Sequence, residues 1–203
     1  MRRIPVAILG VFLLGMVAIP HKAGAAVLQF NTRAAWEAAV LGVYSEENFA
    51  DATLIPLISG FTTTNGSIGS GRFNDIVDDN PPVSTTFNFS KPLKAFGGEW
   101  DLTPNGPGVG INLFADATQI GTTPTIPNTF AGGFYGFVLT EGQAFNALTI
   151  IGAGQPMGIQ ETYRLDNVVV SAVPIPAALP LFLSALAALG LLGWRRRRLA
   201  EFA

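Results

Sequence analysis

The chain of 203 residues contains no cysteine, which excludes disulfides, thiolate metal sites and cysteine nucleophiles, and its length suits one domain with appended segments. Its formal net charge is −2, but the middle of the chain carries about −8, because five basic residues between Arg33 and Arg164 face thirteen acidic ones. An acidic surface repels phosphate backbones, so nucleic acid is excluded as a partner.

The first 26 residues have the composition of a secretory signal peptide. They begin with Met-Arg-Arg, continue with an apolar stretch from Ile4 to Ile19, and end in the small residues Ala23-Gly24-Ala25-Ala26. We expect export with cleavage after Ala25 or Ala26; the alternative is an uncleaved anchor. Cleavage would remove His21, the only histidine, so the mature chain could build neither a Ser-His-Asp triad nor a His-ligated zinc site.

The middle of the chain, residues 27–172, predicts an antiparallel, jelly-roll-like β-sandwich with one short N-terminal helix. Glycine, threonine, asparagine and proline punctuate short runs rich in phenylalanine, isoleucine and valine. The window Thr32 to Val40 predicts the helix, with Asn31 or Thr32 as its cap and Trp36 on its apolar side. No regular helices separate the predicted strands, which favours a sandwich over an α/β fold. The strands are predicted at 85–89, 95–100, 109–114, 119–122, 133–139, 147–151 and 163–170.

Two carboxylates suggest a metal site. Glu47 follows Glu46 near the first strands, and Asp166 lies in the last strand. If these strands are neighbours, the two side chains come together, and their hard oxygen ligands suit Ca²⁺. The sequence therefore predicts a structural Ca²⁺ at Glu47 and Asp166; the alternative is a pair of exposed carboxylates, with Asp166 capping a turn.

Trp100 is the best candidate for contact with a sugar, because an aromatic face can cover the apolar face of a pyranose. Its neighbours Glu99 and Asp101 lie about 7 Å apart on one face of a strand, within the ~5 to 9.5 Å that separates the two carboxylates of glycosidases. Carboxylates on the same strand rarely flank a substrate on both sides, so we expect no catalytic residues. A glycan-cleaving enzyme is the alternative.

The C-terminal end predicts a membrane span. Residues 177–194 contain no charge, and at about 1.5 Å per residue they would reach ~27 Å, close to the ~30 Å hydrocarbon core. Four arginines follow, Arg195, Arg196, Arg197 and Arg198, and by the positive-inside rule they should stop transfer and stay cytoplasmic. The predicted topology is an external domain, a single span and a short basic tail inside.

A short proline motif precedes this span, so the C-terminal end has three parts: the motif, the apolar segment and the arginines. Val173, Pro174, Ile175, Pro176 and Ala177 place two prolines, which lack amide donors and keep the chain extended, next to the apolar helix and the arginines. Residues 173–198 resemble the PEP-CTERM sorting signal, in its Val-Pro-Leu-Pro-Ala variant, with Ile175 in place of leucine. The resemblance implies processing by an exosortase-type membrane protease in bacteria that make exopolysaccharide, biofilm or floc. The alternative is a plain C-terminal anchor.

The middle of the chain is also similar to the ectodomain common in this sorted class, which in turn looks like jelly-roll and carbohydrate-binding sandwiches. The resemblance rests on five short pieces: Phe30 to Trp36, Glu46 to Phe49, Lys91 to Trp100, Phe134 to Phe137 and Tyr163 to Val168. It implies an exported protein that passes through the inner membrane to the cell surface, without catalysis, and associates with extracellular polysaccharide. The alternatives are a secreted glycan-cleaving enzyme and a membrane-anchored structural protein.

Overall fold

The computed structural model describes residues 27–120, 125–140, 142–154 and 158–173. The predicted signal peptide, span and arginine cluster lie outside these residues, as does the sorting motif apart from Val173. No helix in the described ranges is long and apolar enough to cross a bilayer. The elements are β1 (Val27–Phe30), α1 (Arg33–Ala39), β2 (Ser45–Glu47), β3 (Ile58–Thr62), β4 (Ser67–Gly69), β5 (Arg72–Asp79), β6 (Pro82–Asp101), β7 (Ile111–Ala115), β8 (Thr118–Gln119), β9 (Phe134–Leu139), β10 (Phe145–Gly152) and β11 (Glu161–Ala172).

The predicted helix is confirmed, and its ends follow local sequence signals. The Thr32 side chain accepts a hydrogen bond from the Ala35 amide at 3.4 Å, as an N-cap does. At the other end the Gly42 amide donates to the Glu37 carbonyl at 2.9 Å while Leu41 takes a φ of 59°. This is a helix-ending turn that satisfies carbonyls left free by the last turn.

All pairings between the named strands are antiparallel, and they build two layers that share β6. The first half of β6 pairs with β3 on one side and β10 on the other, followed by β7 and β8. The second half pairs with β9 and then β1 on one side, and with β11 on the other. β2 and β5 pair with different parts of β11, and β4 pairs with β5.

β6 differs from the sequence prediction, which placed two separate strands at 85–89 and 95–100. The strand continues through Lys91-Pro92, where the pairing with β10 shifts register between Phe145 and Ala147. Proline is tolerated there because its missing amide leaves no ladder partner unsatisfied, while its carbonyl accepts a hydrogen bond from Val173 at 3.1 Å. One 20-residue strand therefore serves both layers.

The core fills the space between the layers and is rich in aromatic rings. Each strand alternates between side chains that enter this core and side chains that face outwards. The largest buried side chains come from both layers, and burial of each large apolar side chain stabilises the fold by about 1.5 to 3 kcal/mol. They include Phe49, Phe73, Phe87, Phe96, Trp100, Phe137, Phe145 and Tyr163.

A second, smaller cluster lies on the outer side of the second layer, beneath α1. Trp36 and Val40 pack against Ala95, Val138 and Val169. The Trp36 indole N–H donates to the Phe137 carbonyl at 3.2 Å and ties the helix to β9. The helix thus covers one end of the outer face of this layer, and leaves the other end to polar side chains.

Candidate functional site

Trp100 lies in the core rather than on the surface. Its side chain is 1% exposed and packs between Phe96 and Tyr163, with ring centroids 6.4 and 5.8 Å away. Its indole N–H donates to the Tyr135 carbonyl at 3.1 Å. This placement does not support the predicted contact with a sugar, because no face of the ring is free to stack.

Glu47 is also buried, and its carboxylate is engaged by backbone amides. It accepts hydrogen bonds from the Phe49 amide at 2.7 Å and from the Ile55 amide at 2.8 Å. The carboxylate therefore holds the loop between β2 and β3 in place. These two hydrogen bonds take up one acceptor site on each carboxylate oxygen.

The structure does not bring Asp166 to Glu47. Glu47 is paired with Val168, which points into the core, whereas Asp166 is paired with Glu99 on the outer face. An irregularity between Asp166 and Val169 inserts an extra residue, Asn167, with a φ of 45°. The two carboxylates thus lie on opposite faces of one layer, and these residues do not fit a shared Ca²⁺ ion. No group of three or more acidic side chains in the described ranges is arranged to hold a metal.

Glu99, Asp101 and Asp166 meet instead at the edge of a polar depression on the outer face of the second layer. Three adjoining recesses of about 210, 220 and 280 Å³ share Arg164 as a lining residue. The depression mixes both charges, since Arg72 lines two of the recesses. The other polar lining side chains include Asn65, Ser67, Asn74 and Asn105.

Each carboxylate at the edge of this depression has a partner among the described residues. Arg164 lies 4.0 Å from the Asp101 carboxylate. The backbone amide of Asn167 donates to Asp166 at 2.7 Å, and its side-chain amide donates to Glu99 at 3.0 Å. Asn167 therefore holds two neighbouring carboxylates in place, which gives the depression a rigid acidic rim.

The outer face of the first layer has a different character. The register places Thr62, Thr86, Thr149, Phe114 and Gln119 in one row, each directly opposite the next on the neighbouring strand. At about 4.8 Å between strands the row is about 19 Å long. Phe114 is partly exposed, although the core-facing residues of β7 are buried.

Two shorter rows flank this one. Ser84, Ile151 and Asn112 lie on one side, and Gly60 with Asn88 and Ala147 on the other. We name the three rows together the threonine face; none of its eleven residues carries a charge.

The polar groups of the threonine face are already ordered by one another. The hydroxyls of Thr86 and Thr149 are 2.9 Å apart, and the Gln119 amide donates to Asn112 at 3.2 Å. Hydroxyl and amide groups both donate and accept hydrogen bonds. The face therefore offers preorganised polar groups around one apolar ring.

Sequence reasoning missed the threonine face, although part of the signal was present. The alternation from Val109 to Phe114 places Phe114 on the side opposite Ile111 and Leu113. The threonines come from three strands that are distant in sequence. Which strands are neighbours, and in which register, could not be read from the residues alone.

No protein-family model and no curated protein matches the chain. Solved structures with similarity include two variants of the CBM29-2 module, studied for ligand recognition by family 29 carbohydrate-binding modules. They are 12% identical, with TM-scores of 0.44 and 0.42, covering 66% of this chain and 99% and 98% of theirs. The catalytic unit of a thermostable GH87 α-1,3-glucanase from Streptomyces thermodiastaticus is 16% identical, with a TM-score of 0.36, covering 66% of this chain and 28% of that one. Similarities this weak do not assign a function to the chain.

Proposed function

We propose that this chain is an exported, non-catalytic surface protein whose jelly-roll-like β-sandwich binds a neutral extracellular polysaccharide through the threonine face. The observation that supports this proposal is the uncharged row from Thr62 to Gln119, which crosses five strands and contains the partly exposed ring of Phe114.

The chemistry of the face suits sugars. Sugar hydroxyls need partners that both donate and accept, as threonine and asparagine do, and the C–H side of a pyranose packs on an aromatic ring. A neutral ligand carries no net charge that would offset the cost of removing fixed charges from water. An uncharged face on a domain of about −8 net charge therefore favours a neutral ligand over an anionic one.

Binding would be measured by affinity electrophoresis and titration calorimetry of the purified chain with neutral and uronate-containing polysaccharides, including the exopolysaccharide of its host. Phe114→Ala should weaken binding about tenfold, because a stacked ring contributes about 1 kcal/mol or more. Thr86→Val keeps the shape of the side chain but removes a hydroxyl, and it should also weaken binding.

Arg164→Ala provides the matched control, because it alters the polar depression on the other layer. Affinity should be unchanged in this variant. Equal losses in Phe114→Ala and Arg164→Ala, or failure of every neutral polysaccharide to bind, would contradict the proposed binding face.

The proposal includes C-terminal sorting. Residues 173–177 would be cut by an exosortase-type membrane protease after the segment 177–194 has entered the membrane, with Arg195 to Arg198 on the cytoplasmic side. The three-part sequence pattern supports this step. Mass spectrometry of the mature protein from its host should show a C-terminus near Val173. An intact tail ending at Ala203 would contradict processing and favour a plain C-terminal anchor.

A glycan-cleaving activity is the second candidate, because Glu99 and Asp166 face each other across β6 and β11. Directly opposed residues have Cβ atoms about 5 Å apart, which approaches the spacing of carboxylates in retaining glycosidases. Release of reducing sugars that is lost in both Glu99→Gln and Asp166→Asn would favour this candidate. Binding without release would favour the first.

A further inference from the structure

Both ends of the described domain emerge at one end of the second layer. The last residue of β11, Ala172, is paired with Leu93, and the first residue of β1, Val27, is paired with Leu139. A continuous row of pairs, Ser171 with Ala95, Ala95 with Val138 and Val138 with Leu28, crosses the layer at this level. We name this region the terminal end.

Exposed apolar side chains concentrate at the terminal end. Leu28 is 49% exposed, and Leu41 and Val43, just after α1, are 84% and 66% exposed. The Ser171 hydroxyl donates to the Val43 carbonyl at 2.7 Å, which fixes this segment against the last residues of β11. An apolar recess of about 200 Å³ lies here, and Val43 and Val173 both line it.

Two of the five basic residues of the domain lie at the same place. Lys94 stands between Leu93 and Ala95 of the pairs above, and Lys91 precedes Pro92, whose carbonyl binds the Val173 amide. Exposed apolar side chains beside lysines match a lipid surface, where apolar groups enter the interface and cations attract anionic headgroups. The attraction between these lysines and anionic headgroups is confined to the terminal end, because the domain as a whole is acidic.

We infer that the terminal end, through Leu28, Leu41, Val43, Lys91 and Lys94, rests on the outer surface of an anionic bilayer before the chain is processed. This inference rests on the proposed membrane segment at 177–194. Only residues 174–176 separate Val173 from that segment, and four extended steps span at most about 14 Å. The terminal end therefore lies within reach of the lipid headgroups, and the threonine face is held above them.

The absence of cysteine makes the contact directly measurable. Full-length chain carrying Val43→Cys would be labelled with an environment-sensitive fluorophore and reconstituted in vesicles of phosphatidylcholine and phosphatidylglycerol containing a nitroxide lipid. The matched control is Ile159→Cys, because Ile159 is also an exposed apolar residue (40%). It precedes β11, and the 12 residues of that strand put it roughly 35 Å from the terminal end at ~3.3 Å per residue.

The label at position 43 should shift to shorter emission wavelength and be quenched several-fold more than the label at 159. Lys91→Ala combined with Lys94→Ala should reduce this difference, and so should vesicles of phosphatidylcholine alone. Equal quenching at 43 and 159, in chain that resists alkaline extraction from the vesicles, would overturn this inference while the membrane segment stands. Chain that is extracted by alkali would overturn both.

Discussion

Tyr163 donates a hydrogen bond from its phenol to the Asp75 carboxylate at 3.2 Å, inside the core. Asp75 also accepts hydrogen bonds from the hydroxyl of Thr85 and, at 2.7 Å, from the Ile76 amide. Burial first, and then the charge of Asp75, raises the pKa of Tyr163 well above its usual value. A buried carboxylate is thus kept in the sandwich by a set of surrounding donors.

Tyr163→Phe should destabilise the domain by about 2 kcal/mol, because a buried carboxylate loses one donor. Tyr135→Phe is the matched control. The Tyr135 hydroxyl is buried without a hydrogen-bond partner in the described part of the chain, and burial raises its pKa to about 12. Its removal should leave the free energy of unfolding unchanged or slightly higher. Urea denaturation of both variants checks the pair; equal losses would show that Asp75 does not depend on Tyr163.

Glu47→Gln should destabilise the domain by about 2 to 3 kcal/mol, since an amide cannot accept hydrogen bonds at both of its terminal atoms. The Ile55 or Phe49 amide would then face another donor. Because Glu47 and Asp166 lie on opposite faces of the layer, the melting temperature of the unaltered chain should not change between Ca²⁺ and chelator. A rise of several degrees in Ca²⁺, abolished by Asp166→Ala, would restore the metal site that the sequence suggested.

Glu161 should make stability depend on pH. Its side chain is fully buried against Gly108, where a Cβ would lie within 2.4 Å of the carboxylate, and the Gly110 amide donates to it. Burial is the largest effect and raises the pKa of Glu161, although neighbouring backbone amides oppose it. The protonated form is therefore favoured by folding. The stability that protonated Glu161 contributes is fully present below the pKa that Glu161 has in the unfolded chain. It is lost as pH rises through the higher pKa of Glu161 in the folded domain.

The expected result is a stability of the unaltered chain that falls relative to Glu161→Gln as pH rises from about 4 to 8. Both chains share the repulsion among the other acidic side chains. The difference between their free energies of unfolding therefore isolates the effect of residue 161. Thermal unfolding at several pH values gives the difference directly. A difference that is constant over this range, or that grows in favour of the unaltered chain, would be inconsistent with the buried acid.

Gly136→Ala should loosen the contact between α1 and the second layer. A Cβ at this position would lie 2.8 Å from the Trp36 ring and 2.9 Å from the Gly97 backbone, so the helix must move. We expect a loss of about 1 to 3 kcal/mol, typical of overpacking. Gly69→Ala is the control, because nothing lies within 4 Å of the added atom. Near-ultraviolet circular dichroism should change for the first variant alone, and unaltered spectra and stability in both would argue against tight docking.

Local features of the fold could be predicted from the sequence because they depend on neighbouring residues. The cap at Thr32 and the apolar side of the helix with Trp36 are of this kind, and so is the alternation that turns Leu113 inwards and Phe114 outwards. The continuity of β6 could not be predicted, because Pro92 is an ordinary signal for the end of a strand.

The candidate sites depend on register, which the sequence does not show. In a regular strand Asp166 and Val168, two residues apart, would share a face, and Asp166 would then lie on the face of Glu47, as predicted. A single inserted residue reverses which side chains face the core. The burial of Trp100 has a different origin: it lies four residues after Phe96 on β6, so regular alternation turns both side chains into the core.

β6 gives the domain a mechanical property. Since one continuous strand carries hydrogen bonds in both layers, a force applied to either layer is transmitted to the other along the backbone of β6. A domain pulled between its C-terminal end and the threonine face should therefore resist shear as a single block and yield in one step rather than layer by layer.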